Sequence, residues 1–238
     1  MTAAAPLPQG PAKVAAVRRM FDAIAPRYDL LNRLLTLGLD RRWRRRAVAE
    51  LRLPAGARVF DLACGTGDLC RDLGAAGLGP VGFDLSTGML RAAQGHRAWA
   101  DRPAPLVLSD ALRLPVPAHS ADGVTCGFAL RNVVDLGELF AEVARVLRPR
   151  GRVSLLEVSE PTHPVLRTGH RVYFGAVVPR IGGLLSDRAA YRYLPRSMSY
   201  LPPADELLAM LAEHGFDAVE RRTLSGGIAQ LITATRRP

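Results

Sequence analysis

Apolar residues repeat along this chain with two different periods. From Lys13 to Ile24 they recur at Val14, Val17, Phe21 and Ile24, a near-helical spacing that predicts an amphipathic helix ended by Pro26. Arg27 to Gly38 reads as a loop or a second short helix stopped by glycine, and Asp40 is placed to cap a third helix carrying Trp43. From Arg58 onward short apolar runs take over, at 58–62, 80–84, 106–110, 122–128 and 152–158, each of strand length. Helical segments separate them. One is capped by Ser86 and holds Met89 and Leu90; another runs from Asp135 to Leu147 and is terminated by Pro149 and Gly151. Strands and helices alternating at this length require right-handed crossovers, so the expected core is a parallel sheet. The end of the chain departs from that rule. A helix from Ala204 to His214 stops at Gly215, and β-like runs at 218–224 and 228–235 flank Ser225-Gly226-Gly227, which predicts a hairpin closing the sheet edge.

The organisation that follows is one α/β domain over 13–238. Residues 13–52 form a helical lid packed against the cofactor edge of the sheet. Residues 160–203 form a Pro- and Gly-punctuated insertion on the substrate side, holding Tyr173, Phe174, Tyr191, Tyr193 and Tyr200. Residues 1–12 lack the charged start and long apolar core of a signal peptide and are expected to be a disordered leader. Val172 to Leu185, the most apolar late stretch, is interrupted by Pro179 and Arg180 and is too short to span a bilayer.

Composition changes this picture in two places. The net charge of +10 suggests nucleic acid, yet Lys13 is the lone lysine among 32 basic residues. Such arginine bias, with abundant Ala and Pro, points to a GC-rich genome, and no nucleic-acid partner is expected. One dense run, Arg41, Arg42, Arg44, Arg45 and Arg46, reads as a solvated helix face, with a surface for anionic lipid or nucleic acid as the alternative. Cys64, Cys70 and Cys126 have no ligand spacing, which implies a reduced cytoplasmic setting and no metal site.

The candidate chemistry starts at the first strand. Arg58-Val-Phe-Asp61-Leu-Ala-Cys-Gly65-Thr66-Gly67 is an apolar run breaking into a G-x-G turn, where a strand passes into a helix over a nucleotide-type ligand. Cys70 stands where a dinucleotide fingerprint needs its third glycine, and there is no G-K-[ST] phosphate loop. A ligand without a pyrophosphate fits better. The acid Asp61 before the glycines suits one carrying an ammonium group, so S-adenosylmethionine is the leading candidate. Asp84, at the end of the second run, is spaced to reach ribose hydroxyls. Asp110 and Ala111, after the third, are placed for an adenine amino group and ring.

Several longer motifs carry a resemblance. Arg27-Tyr-Asp-Leu-Leu-Asn, Thr36-Leu-Gly-Leu-Asp-Arg-Arg-Trp-Arg, Gly127-Phe-Ala-Leu-Arg-Asn-Val, Arg145-Val-Leu-Arg-Pro-Arg-Gly and Ala190-Tyr-Arg-Tyr-Leu-Pro-Arg-Ser together resemble the UbiE/MenG C-methyltransferases of ubiquinone and menaquinone biosynthesis. The resemblance covers nearly the whole chain and implies a class I methyltransferase, Rossmann-like fold. It implies cofactor contacts at Thr66, Asp84, Asp110, Ala111 and, through backbone alone where the family usually has serine, Gly127. It also implies that Tyr28, Arg131 and Asn132 act near a quinol ring. The substrate it implies is a demethylmenaquinol, a prenylated naphthoquinol, with another benzoquinol or aromatic ring as the alternative. A cytoplasmic enzyme in peripheral contact with the inner membrane face, with room for a homodimer, completes the expectation. Leu31, Asp40 and Arg150 depart from the family's usual residues. Two plainer roles compete: Tyr28 packing under the lid, and Arg131 pairing with Asp135. An RNA methyltransferase is a weaker rival, since no Asn/Asp-Pro-Pro-aromatic segment follows the fourth strand.

Overall fold

The computed structural model describes residues 9–96, 103–161, 163–173 and 197–238. Three helices lead: α1 (Gly10–Ile24), α2 (Tyr28–Leu35) and α3 (Leu39–Glu50), with a 3-10 turn at Ala25–Arg27 between the first two. α1 starts at Gly10, ahead of the expected Lys13, because Pro11 sits in the first turn, where its missing N–H is no loss. Residues 1–8 of the expected leader lie outside the described residues. The sheet then alternates with helices: β1 (Arg58–Leu62), α4 (Asp68–Ala75), β2 (Gly79–Asp84), α5 (Thr87–Gln94), β3 (Leu106–Leu108), β4 (Ala121–Gly127), α6 (Leu136–Val146) and β5 (Leu147–Val158). α7 (Pro164–Val172) and α8 (Ala204–Glu213) precede the closing hairpin of β6 (Phe216–Leu224) and β7 (Ala229–Arg236). Phe174, Tyr191 and Tyr193 lie outside the described residues.

The seven strands lie in the order β3-β2-β1-β4-β5-β7-β6. Neighbours from β3 through β5 are parallel, whereas β7 runs antiparallel to both β5 and β6. The helices cover the sheet with one main core in which Phe83, Phe140, Phe216, Leu62 and Leu139 are almost wholly buried. Each such side chain contributes roughly 1.5–3 kcal/mol by leaving water. The thiols of Cys64 and Cys70 pack in a smaller cluster with Leu90, and Cys126 sits in the main core; all three are free and buried.

Local expectations meet the structure unevenly. Ser86 caps α5 by accepting from the Met89 N–H, as expected; Asp135, read only as the start of its helix, proves to cap α6 by accepting from the Glu138 N–H. Asp40 does not cap α3. The N-cap is Gly38, in the left-handed region at φ 75°, and Asp40 falls inside the first turn, where Thr36 and Arg44 bond its carboxylate. Pro149 and Gly151 do not end α6 by a loop either. Leu147 turns extended and starts β5 at once, and 148–151 form an excursion opposite Asp122, between the pairs Ala121 with Leu147 and Gly123 with Arg152. Arg148 pairs with Asp122 across that bulge.

Candidate active site

The sheet order reverses direction between β1 and β4, and in such sheets a crevice opens beyond the carboxyl ends of the strands at that point. Here it is a half-open cavity of about 130 Å³. Gly65, Asp84, Asp110, Ala111 and Gly127 line it from the sheet side, α1 lines it with Val14, Val17 and Phe21, and Tyr28 and Asn132 also face it. Two non-glycine residues in the left-handed region stand on its rim: Ala63 at φ 51°, just after β1, and Phe128 at φ 59°, just after β4. Backbone conformations of that kind cost energy and collect where a site needs them.

The glycine loop and Asp84 are joined by hydrogen bonds. Gly65 N donates to Asp84 Oδ2 at 2.7 Å, and Ser86 N donates to Oδ1 at 2.8 Å. Burial pushes the Asp84 carboxyl above its ordinary range, and these two backbone bonds oppose the shift. Asp110 Oδ1 accepts from Leu112 N at 3.0 Å, which fixes the loop after β3. At Gly127 an added Cβ would stand 2.7 Å from Leu69 Cδ1, so the bare backbone there also leaves room for the core behind it.

Three expected cofactor residues sit elsewhere. Gly67 is the left-handed N-cap of α4, at φ 78°. Thr66 is buried, and its hydroxyl donates to Asp29 of α2. Asp61 has no exposed surface: it lies within the sheet, accepting from Thr125 Oγ1 at 2.8 Å and Cys70 Sγ at 3.5 Å. Burial pushes its carboxyl up to about 7. Near the end of β1, Asp61 points to a sheet face covered by α4, whose Cys70 reaches its carboxylate.

Of the three expected catalytic residues, Tyr28 and Asn132 share the crevice. Burial raises the Tyr28 phenol, while a hydrogen bond with Asn32 and the charge of Arg131 pull the other way. Arg131 is buried and lines a second cavity, with Ser159, His170 and Gln230. Its partner is Glu157 on β5, and not Asp135, whose carboxylate is taken up by capping α6. Arg131 Nη1 also donates to the Phe128 carbonyl at 2.7 Å, and its backbone N–H donates to Glu157 at 3.2 Å.

Sequence reasoning missed the acids that tie the N-terminal helices to the rest of the molecule. Asp22 of α1 accepts from Ser86 Oγ at 2.6 Å and Gly88 N at 2.9 Å, reaching the N-terminus of α5. Asp29 of α2 meets His96 Nε2 at 2.9 Å besides Thr66. Arg44, read as part of a solvated run, is buried among Asp40, Asp68 and Asp72. Arg46 pairs with Glu50, whereas Arg41, Arg42 and Arg45 are exposed. Among the described residues no cluster of His, Cys, Asp or Glu could hold a metal ion.

A crevice lined by N-terminal helices at the switch point of a sheet with this order and an antiparallel final strand defines a class I methyltransferase architecture. The comparisons agree with that geometry. Residues 10–236 match the ubiE/COQ5 methyltransferase family, and the chain belongs to that family. A relative from Syntrophotalea carbinolica, a ubiquinone/menaquinone biosynthesis C-methyltransferase UbiE, is 46% identical over 221 residues, covering 92% of this chain and 93% of its own. A demethylmenaquinone methyltransferase of Roseiflexus sp. is 42% identical over 235 residues, covering 97% and 98%. Among solved structures, a Haemonchus contortus phosphoethanolamine N-methyltransferase in complex with S-adenosyl-L-methionine has a similar fold, with a TM-score of 0.60 at 16% identity. That match covers 81% of this chain and 52% of the other.

Proposed function

We propose that this enzyme moves a methyl group from S-adenosylmethionine to a ring carbon of a demethylmenaquinol in menaquinone biosynthesis. The observation that carries the reading is the crevice itself: a mainly apolar chamber with the strand-end acids Asp84 and Asp110 on one side and Tyr28 and Asn132 on another. Its residues fit the cofactor. Asp84 suits ribose hydroxyls, Asp110 and Ala111 suit an adenine edge, and Gly65 and Gly127 leave backbone bare where a ligand would pass. The names of the Syntrophotalea and Roseiflexus relatives support the quinone-pathway substrate.

When bound, the cofactor supplies a methyl group made electrophilic by a sulfonium, and leaves as S-adenosylhomocysteine once the ring carbon takes the methyl and gives up its hydrogen as a proton. The protein's own task is alignment, and holding the partners in near-attack geometry is worth roughly 7–11 kcal/mol. Val14, Val17 and Phe21 keep water from the chamber. Tyr28, its phenol pushed further up by burial, donates a hydrogen bond to a ring oxygen, and Asn132 orients the ring. Arg131, neutralised by Glu157 and bonded to the Phe128 carbonyl, holds the turn that presents Asn132 to the crevice. The test is product analysis with purified protein, S-adenosylmethionine and a demethylated naphthoquinone, with and without reductant. Carbon-methylated product is expected only with reductant, because the oxidised ring is electron-poor. Equal methylation of the quinone, or methylation on oxygen, would sink the reading.

The substrate's prenyl tail brings the enzyme to a membrane surface. No helix among the described residues is long and apolar enough to cross a membrane. α2 and the turn after it present Leu30, Leu34 and Leu37, which are 54%, 43% and 81% exposed, and Arg27, Arg33, Arg41 and Arg42 are exposed along the same stretch. An apolar stripe flanked by arginines suits anionic lipid. Co-flotation with anionic vesicles at low salt, lost in Leu37→Glu, is the expected result; equal recovery with neutral vesicles would remove the electrostatic part.

A further inference from the structure

We propose that Lys13 is a positioning residue that latches the lid helix to the turn carrying Arg131 and Asn132, and so sets the closed geometry over the crevice. Lys13 is the single lysine of the chain and is only 4% exposed. Its Nζ donates to the Val133 carbonyl at 2.7 Å and stands 3.8 Å from the centre of the Tyr200 ring. Three segments distant in sequence therefore meet at one ammonium: the first turns of α1, the C-cap of the Leu130–Asn132 turn, and the Met198–Tyr200 turn.

Each of these segments borders a cavity. Val14 and Val17 of α1 and Asn132 and Val133 of the turn line the crevice, while Leu201, next to Tyr200, lines the second cavity with Arg131. The far end of α1 is pinned separately, by Asp22 on Ser86 and Gly88. Release of Lys13 would free the near end alone and let α1 swing about the Asp22 contact. The residue type supports the role. A compact ammonium can donate to a carbonyl and face a ring at once, whereas a planar guanidinium needs more room and a different set of acceptors. Burial pushes this amine down to about 8, a cost that an apolar side chain filling the same space would not incur. A cation kept there against that cost fixes register, and does so where the lid meets the catalytic turn.

The kinetic half of the test rests on the quinol reading above; the cofactor half does not. In full-length protein, the release rate of S-adenosylhomocysteine is measured by stopped flow and turnover by product formation, both well below the unfolding temperature. Lys13→Met and Tyr200→Leu should each speed release about tenfold and lower kcat about tenfold, with the double variant no worse than either single one. Tyr200→Phe, which keeps the ring face, should retain the latch, and Lys13→Arg should not restore it. Should Lys13→Met fail to fold, Tyr200→Leu carries the same test. Release and kcat within twofold of the parent in Lys13→Met or Tyr200→Leu, even with a lowered Tm, would reduce Lys13 to a folding staple and overturn the proposal. Faster release in protein that methylates no quinol would leave the latch standing and remove the substrate reading instead.

Discussion

The crevice has two walls made by different means. The sheet wall is set by backbone: strand ends, left-handed residues at Ala63 and Phe128, and main-chain N–H groups of Gly65 and Ser86 holding Asp84. The lid wall is set by side chains reaching across the molecule, with Asp22 on Ser86, Asp29 on Thr66 and Arg44 among three acids. A wall built on sheet hydrogen bonds forms when the sheet forms and keeps its geometry. A wall held by side-chain bonds and by the packing of Ile24, Leu31 and Leu35 on Met89 is the part able to open for exchange of ligands.

The sharpest way to break that division is at the seam, where Glu157 of β5 holds Arg131. Glu157→Leu should destabilise the fold by about 3–5 kcal/mol in urea unfolding, because it strands a buried guanidinium. A loss under about 1 kcal/mol would mean that the second cavity solvates Arg131, and that the seam belongs to the mobile wall. On the sheet wall, Asp84→Ala should weaken S-adenosylmethionine binding by about 1.5–3 kcal/mol by calorimetry. Unchanged affinity in a folded variant would remove Asp84 from the site.

The smallest effect sharpens the account of the buried sheet. The Asp61 carboxyl is raised to about 7 from an ordinary 3.8, so between those values the folded protein holds a proton that the unfolded chain has released. Its contribution to stability therefore falls as pH rises from about 4 through about 7. Asp61→Asn cannot ionise and can still accept from Thr125, so it should gain about 2 kcal/mol on the parent between about pH 5 and pH 8. Parallel pH profiles for the two proteins would show that Asp61 remains ionised inside the sheet.

The same division explains what could be read from the chain. Strand positions, the Ser86 cap and the placing of Asp84, Asp110 and Gly127 at the crevice were legible, because they follow from local pattern and from crossover topology. The Glu157 partner of Arg131 was not. Twenty-six positions separate the two, and only the pairing of β4 with β5 brings them together. Asp40 looked like a cap because an acid near a helix start usually is one; here Thr36 and Arg44 claim it. The arginine run looked like one surface because sequence does not tell which face of α3 meets α4, and Arg44 lies on that face. The burial of Asp61 was not legible for a related reason, since an acid beside a glycine loop reads the same whether it faces ligand or core.

The three thiols give this molecule a built-in chemical clock. Cys64 and Cys70 flank the glycine loop, Cys126 lies one residue before Gly127, and all are buried with their ionisation pushed up. A thiol reagent cannot reach them, nor find them as thiolates, in the closed protein. Labelling must therefore wait for the structure to open. The order in which the cysteines react would trace where the chain parts first, without any probe having to be introduced.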